Sequence, residues 1–340
     1  MKTANQILET LNPELETQSA WMARSNQVFL NTYARQPVVL VRGEGTRVWD
    51  LDGKEYLDFL AGIAVCNLGH AHSGVAVAVS RQVQELVHVS NLYYSLPQIR
   101  LAERLVEHSF ADRVFFGNSG AEANEGAIKL CRRYSREKYG RDRYKIICAA
   151  NSFHGRTLAT LSATGQEKFW QGFEPLLPGF AFVPYDDLVA MEAAVDAATC
   201  AILVEPVQGE GGVKIPAPEY LPGLRRLCDQ HELLLILDEV QVGMGRTGKL
   251  FAYEHFGCRP DIITLAKALA NGLPIGALLV TEKVSQAFVP GTHASTFGGG
   301  PVVTAAALAV LEVLSQPEFL AEVTAKGEYF REGLRQLQAR

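Results

Sequence analysis

A doubly wound α/β domain with a mainly parallel sheet is the fold this sequence predicts, and three observations predict it. Short apolar runs recur without alternation: Lys145-Ile-Ile-Cys-Ala149, Ala201-Ile-Leu-Val204, Leu233-Leu-Leu-Ile-Leu237, Ile262-Ile-Thr264 and Ala277-Leu-Leu-Val280. Strands buried on both faces read this way, and they occur in parallel sheets covered by helices. Stretches of helical period separate the runs, which is the alternation of an α/β domain. The length of 340 residues leaves room for one large domain with a smaller appendage.

In chain order, the first forty residues read as a helical lead-in. Val38-Val-Leu-Val41 and Arg47-Val-Trp-Asp50 read as short strands around Gly43-Glu-Gly45. Asp52-Gly53 turns the chain before Tyr56-Leu-Asp-Phe-Leu60, a hairpin signal. Gly74 to Val89 and Gln98 to His108 read as helices, and Arg113-Val-Phe-Phe116 as a strand. Ala121 to Tyr139 is a helix by the spacing of Ala127, Leu130, Cys131 and Tyr134. Leu221 to His231 is a covering helix, and Val302 to Ser315 and Pro317 to Arg340 are helices leading away from the sheet. The expected division is 1–65 as the N-terminal part of a small domain, 66–305 as the large domain, and 306–340 as the helical start of a C-terminal small-domain segment.

Composition narrows the class. Hydrophobic residues make up 48% and charged residues 20%, which is a folded composition. No apolar run approaches the roughly 20 residues that span a bilayer; Val302 to Leu311 contains Thr304 and stops at Glu312. The net charge is −5 and no basic block stands out, so neither nucleic acid nor membrane is expected as a partner. Cys66, Cys131, Cys148, Cys200, Cys228 and Cys258 form no C-x-x-C pair and read as reduced, mostly buried residues. Met1 to Thr10 shows no apolar signal segment, and the cytoplasm is the expected compartment.

Ligands of such folds bind beyond the carboxyl ends of the strands, so chemistry is sought after each apolar run. Gly117-Asn-Ser-Gly-Ala-Glu122 opens a long helix. Small residues there expose backbone N–H groups to a phosphate. Equally, Ser119 and Glu122 fit an ordinary capping box. Asp238 and Glu239 end a strand as two acids, which is costly without partners. They read either as caps and ion-pair members or as the partner of a buried cation such as a protonated ring nitrogen. Lys267 lies in Leu265-Ala-Lys-Ala-Leu-Ala-Asn-Gly272. Most lysines lie on solvated faces, but small apolar neighbours are what make a lysine amine nucleophilic. Together, the carboxylate, the lysine and the phosphate site suggest pyridoxal phosphate.

Other motifs carry less. Gly243-Met-Gly-Arg-Thr-Gly248 matches a dinucleotide fingerprint, with Asp261 roughly where a ribose-binding acid would stand. However, Asp238-Glu-Val-Gln241 intervenes between strand and glycines, and Leu250 to Gly257 is short for the required helix. His70-Ala-His72 has no partner at metal-site spacing and reads as loop or core. No G-x-S-x-G elbow is present.

Asn118-Ser-Gly-Ala-Glu-Ala-Asn124, Phe153-His-Gly-Arg156, Val204-Glu-Pro-Val-Gln-Gly-Glu-Gly-Gly212, Leu237-Asp-Glu-Val-Gln-Val-Gly-Met-Gly-Arg-Thr-Gly248, Ala266-Lys-Ala-Leu269 and Ser295-Thr-Phe-Gly-Gly299 occur in that order. From about residue 25 to the end the chain resembles the class III pyridoxal-phosphate aminotransferases. The resemblance implies fold type I, with a large α/β domain and a smaller α+β domain. It implies that Lys267 and Asp238 are catalytic, with Lys267 bonding the cofactor and Asp238 holding its pyridine nitrogen protonated. Ser119, Gly120 and Ala121 would cradle the phosphate, the latter two through backbone N–H groups. Phe153 would stack on the ring, with Gln241 near its phenolic oxygen. Thr296 would reach the phosphate of the neighbouring subunit, which implies a homodimer with shared active sites. Arg156 would grip a substrate carboxylate, with Ser295 nearby, and Glu210 would pair a second substrate-binding arginine. The glycines of Gly243 to Gly248 become turn residues on this reading.

The implied donor is N-acetylornithine and the implied acceptor 2-oxoglutarate; ornithine, succinyl-diaminopimelate and 4-aminobutyrate are the alternative donors. A non-catalytic, C-terminally shortened fragment is the alternative outside enzymes. The sequence departs from the family pattern at Gly69-His-Ala-His-Ser73, which lacks a proline, and at Gly299-Gly-Pro301, which has glycine where asparagine is common. The family also continues into a strand-containing C-terminal segment with an Arg-Gly-x-Gly stretch, which is expected to be missing here.

Overall fold

The computed structural model describes residues 16–340. The chain divides into two compact units: the described residues up to Ile63 with Leu68–His72, and Ala64–Asn67 with Ser73–Arg340.

Among the described residues, the first unit holds helix α1 and a small sheet. Helix α1 (Gln18–Val28) starts at Thr17, whose side chain accepts a hydrogen bond from the Ala20 N–H. The helical lead-in expected over the first forty residues therefore shrinks. Its first fifteen positions lie outside the described residues, and the chain is extended from Phe29. Pro37 and the β-branched Val38 and Val39 favour that extended path. Strands β1 (Leu40–Glu44), β2 (Arg47–Asp50) and β3 (Glu55–Leu57) form an antiparallel sheet in that order. Gly45 takes φ +56° in the two-residue turn between β1 and β2, and Gly53 takes φ +80° in the turn before β3. His70 Nε2 meets Asp58 Oδ2 at 2.7 Å, which gives that loop histidine its partner.

The second unit is built on a seven-stranded sheet. Its elements are helices α2 (Ser73–Glu85) and α3 (Leu96–Glu107), strand β4 (Arg113–Gly117), helix α4 (Gly120–Tyr139), strand β5 (Lys145–Ala149), helix α5 (Leu158–Ala163), strand β6 (Phe180–Val183), helix α6 (Leu188–Ala193), strand β7 (Thr199–Val204), helix α7 (Tyr220–His231), strands β8 (Leu234–Asp238), β9 (Ile262–Leu265) and β10 (Gly276–Val280), and helices α8 (Pro301–Leu314) and α9 (Pro317–Gln338). The strand order is β4-β10-β9-β8-β7-β5-β6. Only β10 runs against its neighbours β4 and β9; the other pairs are parallel. The carboxyl ends of the remaining strands therefore share one edge. Strands β7 to β10 are buried at every position, which explains their unbroken apolar runs. Each fully buried Leu or Ile contributes about 1.5–3 kcal/mol.

Strand β6 and helices α5 and α6 escape the sequence reading, as does the single turn Glu282–Ser285. Strand β6 pairs only with β5 and is mostly half-buried, so it carries no strong apolar run. The two helices have six residues each, too few for a helical period to show. Helix α8 runs through residue 305, where the sequence reading places a boundary, and packs on α2 and α3. Helix α9 follows after a 71° bend and has no buried residue. Among the described residues no single helix is long and apolar enough to cross a membrane.

Candidate active site

Four loops at the common strand edge enclose a cavity of about 410 Å³. They follow β4, β5, β7 and β8, and the turn after β9 closes it. Ser119, Gly120, Ala121, Phe153, Arg156, Glu210, Asp238, Gln241 and Lys267 all line it. These residues are scattered in sequence, and parallel strand ends bring them together.

Asp238 forms the floor as the last residue of β8, and it is 4% exposed. Its Oδ2 accepts hydrogen bonds from Asn124 Nδ2 and His154 Nδ1, both at 2.8 Å. Its Oδ1 accepts only the Val240 N–H at 3.0 Å. Asn124 is fixed in turn: its Oδ1 accepts from Thr264 Oγ1 at 2.8 Å, and its Nδ2 also reaches the His154 carbonyl. These donors fix the orientation of the Asp238 carboxyl and leave Oδ1 the less occupied of its two oxygens. Asn124, His154 and Thr264 complete the floor around Asp238, and the sequence reading did not assign them. Two of them lay inside quoted motifs, but a contact between residues 114 positions apart leaves no local signal.

The neighbouring acid has a different task. Glu239 is 1% exposed and accepts the backbone N–H groups of Ala252 and Tyr253, both at 2.7 Å. It caps a 3₁₀ turn outside the cavity, so the cap reading applies to Glu239, while Asp238 lines the cavity. Burial pushes the Glu239 carboxyl up to about 8. Glu205, just past β7, accepts from the Phe153 and Gly209 N–H groups, and burial pushes it up to about 7.

Lys267 opens a 3₁₀ turn directly after β9, with φ +44°. Burial lowers the pKa of its amine, opposed chiefly by the charge of Asp238. The positive φ marks a backbone held against its preference at a residue facing the cavity.

Helix α4 begins at the opposite wall. Ser119 caps it, its Oγ accepting the Glu122 N–H at 3.2 Å. Glu122 returns to the N–H and side chain of Asn118, one residue before the cap, rather than to Ser119 itself. The capping role therefore holds and leaves the Gly120 and Ala121 N–H groups without a partner among the described residues, at the cavity wall and at the positive end of a 20-residue helix. A Cβ on Gly120 would come within 2.7 Å of the Val240 side chain. A Cβ on Gly276 would strike the Ser119 carbonyl, so the helix start and β10 can only approach through glycine.

The rim is exposed. Among the described residues no hydrogen bond or ion pair holds the Arg156 guanidinium, which lies 4.0 Å from the Phe169 ring centre and 5.5 Å from that of Phe153. Gln241 Nε2 donates to Glu210 Oε1 at 3.1 Å. Ser295 and Thr296 do not line this cavity. Ser295 Oγ accepts from Asn118 Nδ2 at 3.2 Å, and Thr296 is exposed beside a separate hollow with His293 and Phe297. The glycine fingerprint resolves into turns: Gly245 and Gly248 both take φ +84°, and Asp261 is ion-paired to Arg225 at 2.7 Å. Among the described residues no group of side chains could hold a metal.

N–H groups on a helix start, the buried carboxyl of Asp238 and a lysine of lowered pKa fit the phosphate, ring nitrogen and carbonyl of pyridoxal phosphate. The fold and the cavity are those of an aminotransferase that works through this cofactor. The chain belongs to the class-III aminotransferases: residues 29–340 match the family Aminotransferase class-III. It is 57% identical over 309 residues to an acetylornithine aminotransferase of Caldanaerobacter subterraneus, covering 91% of this chain and 78% of that one. It is 54% identical over 321 residues to one of Myxococcus xanthus, covering 94% and 80%. Its fold matches the crystal structure of an ornithine aminotransferase from Toxoplasma gondii with a TM-score of 0.93 and 37% identity, covering 99% of this chain and 80% of that one.

Proposed function

We propose that this aminotransferase moves the terminal amine of N-acetylornithine to 2-oxoglutarate, giving N-acetylglutamate 5-semialdehyde and glutamate, a step of arginine biosynthesis. The observation that carries the reading is the meeting of Lys267, Asp238 and an unpaired Arg156 around one cavity. The names of relatives more than half identical supply the donor.

Pyridoxal phosphate, when bound, supplies a ring that withdraws the electron pair left when the amine-bearing carbon loses its proton. On this reading Lys267 bonds the cofactor at rest, then takes that proton as general base and returns it as general acid. Burial lowers the pKa of its amine, which favours the free amine that takes the proton. Asp238 would hold a proton on the ring nitrogen. The Gly120 and Ala121 N–H groups and the Ser119 turn bind the phosphate. Phe153 covers the ring and Gln241 orients its phenolic oxygen. Arg156 takes the donor's carboxylate as a two-point ion pair. Glu210, tethered to Gln241, borders the same space. Thr296, outside this cavity, serves the phosphate of a second subunit in a homodimer, and Ser295 contributes to substrate binding. The compartment that goes with such a biosynthetic enzyme is the cytoplasm.

Free ornithine is the second donor, favoured by the likeness of the fold to the Toxoplasma enzyme. The test compares kcat/KM for N-acetylornithine, ornithine, succinyl-diaminopimelate and 4-aminobutyrate with 2-oxoglutarate as acceptor. N-acetylornithine is expected to lead, and its addition should bleach the yellow of the purified protein. A higher kcat/KM for ornithine would replace the donor. A protein that stays colourless with added cofactor would remove the reading.

A further inference from the structure

The Arg156 guanidinium stands in the open at the cavity rim, and nothing charged or polar among the described residues holds it. An arginine side chain free to rotate would meet a carboxylate in many geometries and lose rotamer freedom on binding. Its orientation comes instead from a ring outside the quoted motifs. Phe169 lies 4.0 Å from the guanidinium carbon and packs edge-on against Phe153, with the ring centres 6.1 Å apart.

The turn that carries Phe169 is firmly fastened. Residues Glu167–Phe169 form a single 3₁₀ turn. Before it, the Gly165 N–H donates to Ser152 Oγ at 3.0 Å, and Gln166 Nε2 donates to the Ser152 carbonyl at 3.1 Å. After it, Trp170 Nε1 donates to the carbonyls of Leu161 and Thr164. Both flanks are thus tied to the segment that also carries Phe153 and Arg156. Phe169 itself is half-buried.

We infer that Phe169 is a positioning residue that holds Arg156 ready for a substrate carboxylate, so that it sets selectivity for donors bearing that group. The inference rests on the proposed role of Arg156. A guanidinium held over a ring keeps N–H donors available for a two-point contact with a carboxylate. Phe169 touches no reacting atom on this account. Its removal weakens carboxylate capture and leaves the proton transfers at Lys267 alone.

The test uses holoenzyme with Phe169→Leu, which keeps apolar bulk without a π face, and with Phe169→Tyr, which restores the face. N-acetylornithine is compared with N-acetylputrescine, the same chain without its carboxylate. Glutarate binding is measured by calorimetry as a readout independent of turnover. Phe169→Leu is expected to raise the KM for N-acetylornithine and the Kd for glutarate by about three- to tenfold, with kcat within about twofold. N-acetylputrescine kinetics should not change, and Phe169→Tyr should behave as wild type. An equal loss with both donors, or an unchanged glutarate affinity, overturns the inference. If wild-type protein fails to use N-acetylornithine while Phe169→Leu still weakens glutarate, the donor reading falls and the inference stands. Wild-type protein that binds no glutarate overturns both.

Discussion

The floor and the rim of the cavity are built on opposite principles. Asp238, Asn124, His154 and Thr264 come from β8, α4, the loop after β5 and β9, and none is more than 4% exposed. Each is held by a side chain from another element. Arg156 and Glu210, by contrast, sit on loops and are exposed. In a dry site one fixed charge acts strongly, and any unpaired partner is costly. At a wet rim each contact is worth about 1 kcal/mol or less, so residues can be exchanged without harm to the fold. The floor therefore suits chemistry shared by every substrate, and the rim suits the choice among substrates.

The largest effect should come from Lys267, where floor and rim meet. Lys267→Ala should lower kcat by about 10³-fold or more for every donor, within the range for loss of a proton-transfer group. Circular dichroism should show the fold intact. A variant that still turned over at a tenth of the normal rate would move the proton transfers elsewhere. Asp238→Asn comes next. It keeps the shape of the floor, removes the charge and leaves His154 and Asn124 facing a weaker acceptor. Turnover should fall by about 100-fold, and the cofactor should dissociate more readily in a fluorescence titration. The loss should be the same for N-acetylornithine and ornithine. A donor-dependent loss would mean that Asp238 takes part in substrate selection, which erases the contrast between floor and rim.

The same contrast governs what could be read from the sequence. The strands announced themselves because burial on both faces makes an apolar run, and β5 has the bounds its run suggested. Their direction was not written there: the run of β10 resembles those of β7 and β8, yet it runs the other way. Lys267 and Asp238 were legible because each follows such a run. Their supports were not. Asn124 is one polar residue on a long helix, and only the folded chain brings it to Asp238. Phe169 had no motif at all, because stacking on Arg156 requires a turn that local spacing does not encode. Ser295 and Thr296 were named by resemblance, and a single chain leaves them outside the cavity.

The smallest effect is one of stability, and it arises from the buried carboxyls around the floor. Burial raises Glu205 to about 7 and Glu239 to about 8, from an ordinary value of 4.5. Glu205 faces the charges of His154 and Asp238, and Glu239 those of Glu254 and Asp238. Below about pH 4.5 these two groups are protonated in both the folded and the unfolded chain. As the pH rises, the unfolded chain loses its protons first, so the folded chain binds more of them across the window up to about 8. Stability gained from the neutral carboxyls is therefore full below that window and is lost as pH climbs through it. Urea midpoints measured from about pH 5 to pH 8.5 should fall on account of these groups. Glu239→Gln should flatten the slope, although it weakens one of the two contacts to Ala252 and Tyr253. An unchanged slope in Glu239→Gln would show that this carboxylate is already ionised in the folded chain. The two backbone N–H groups would then outweigh burial, and the base of the site would be as thoroughly charged as it is dry.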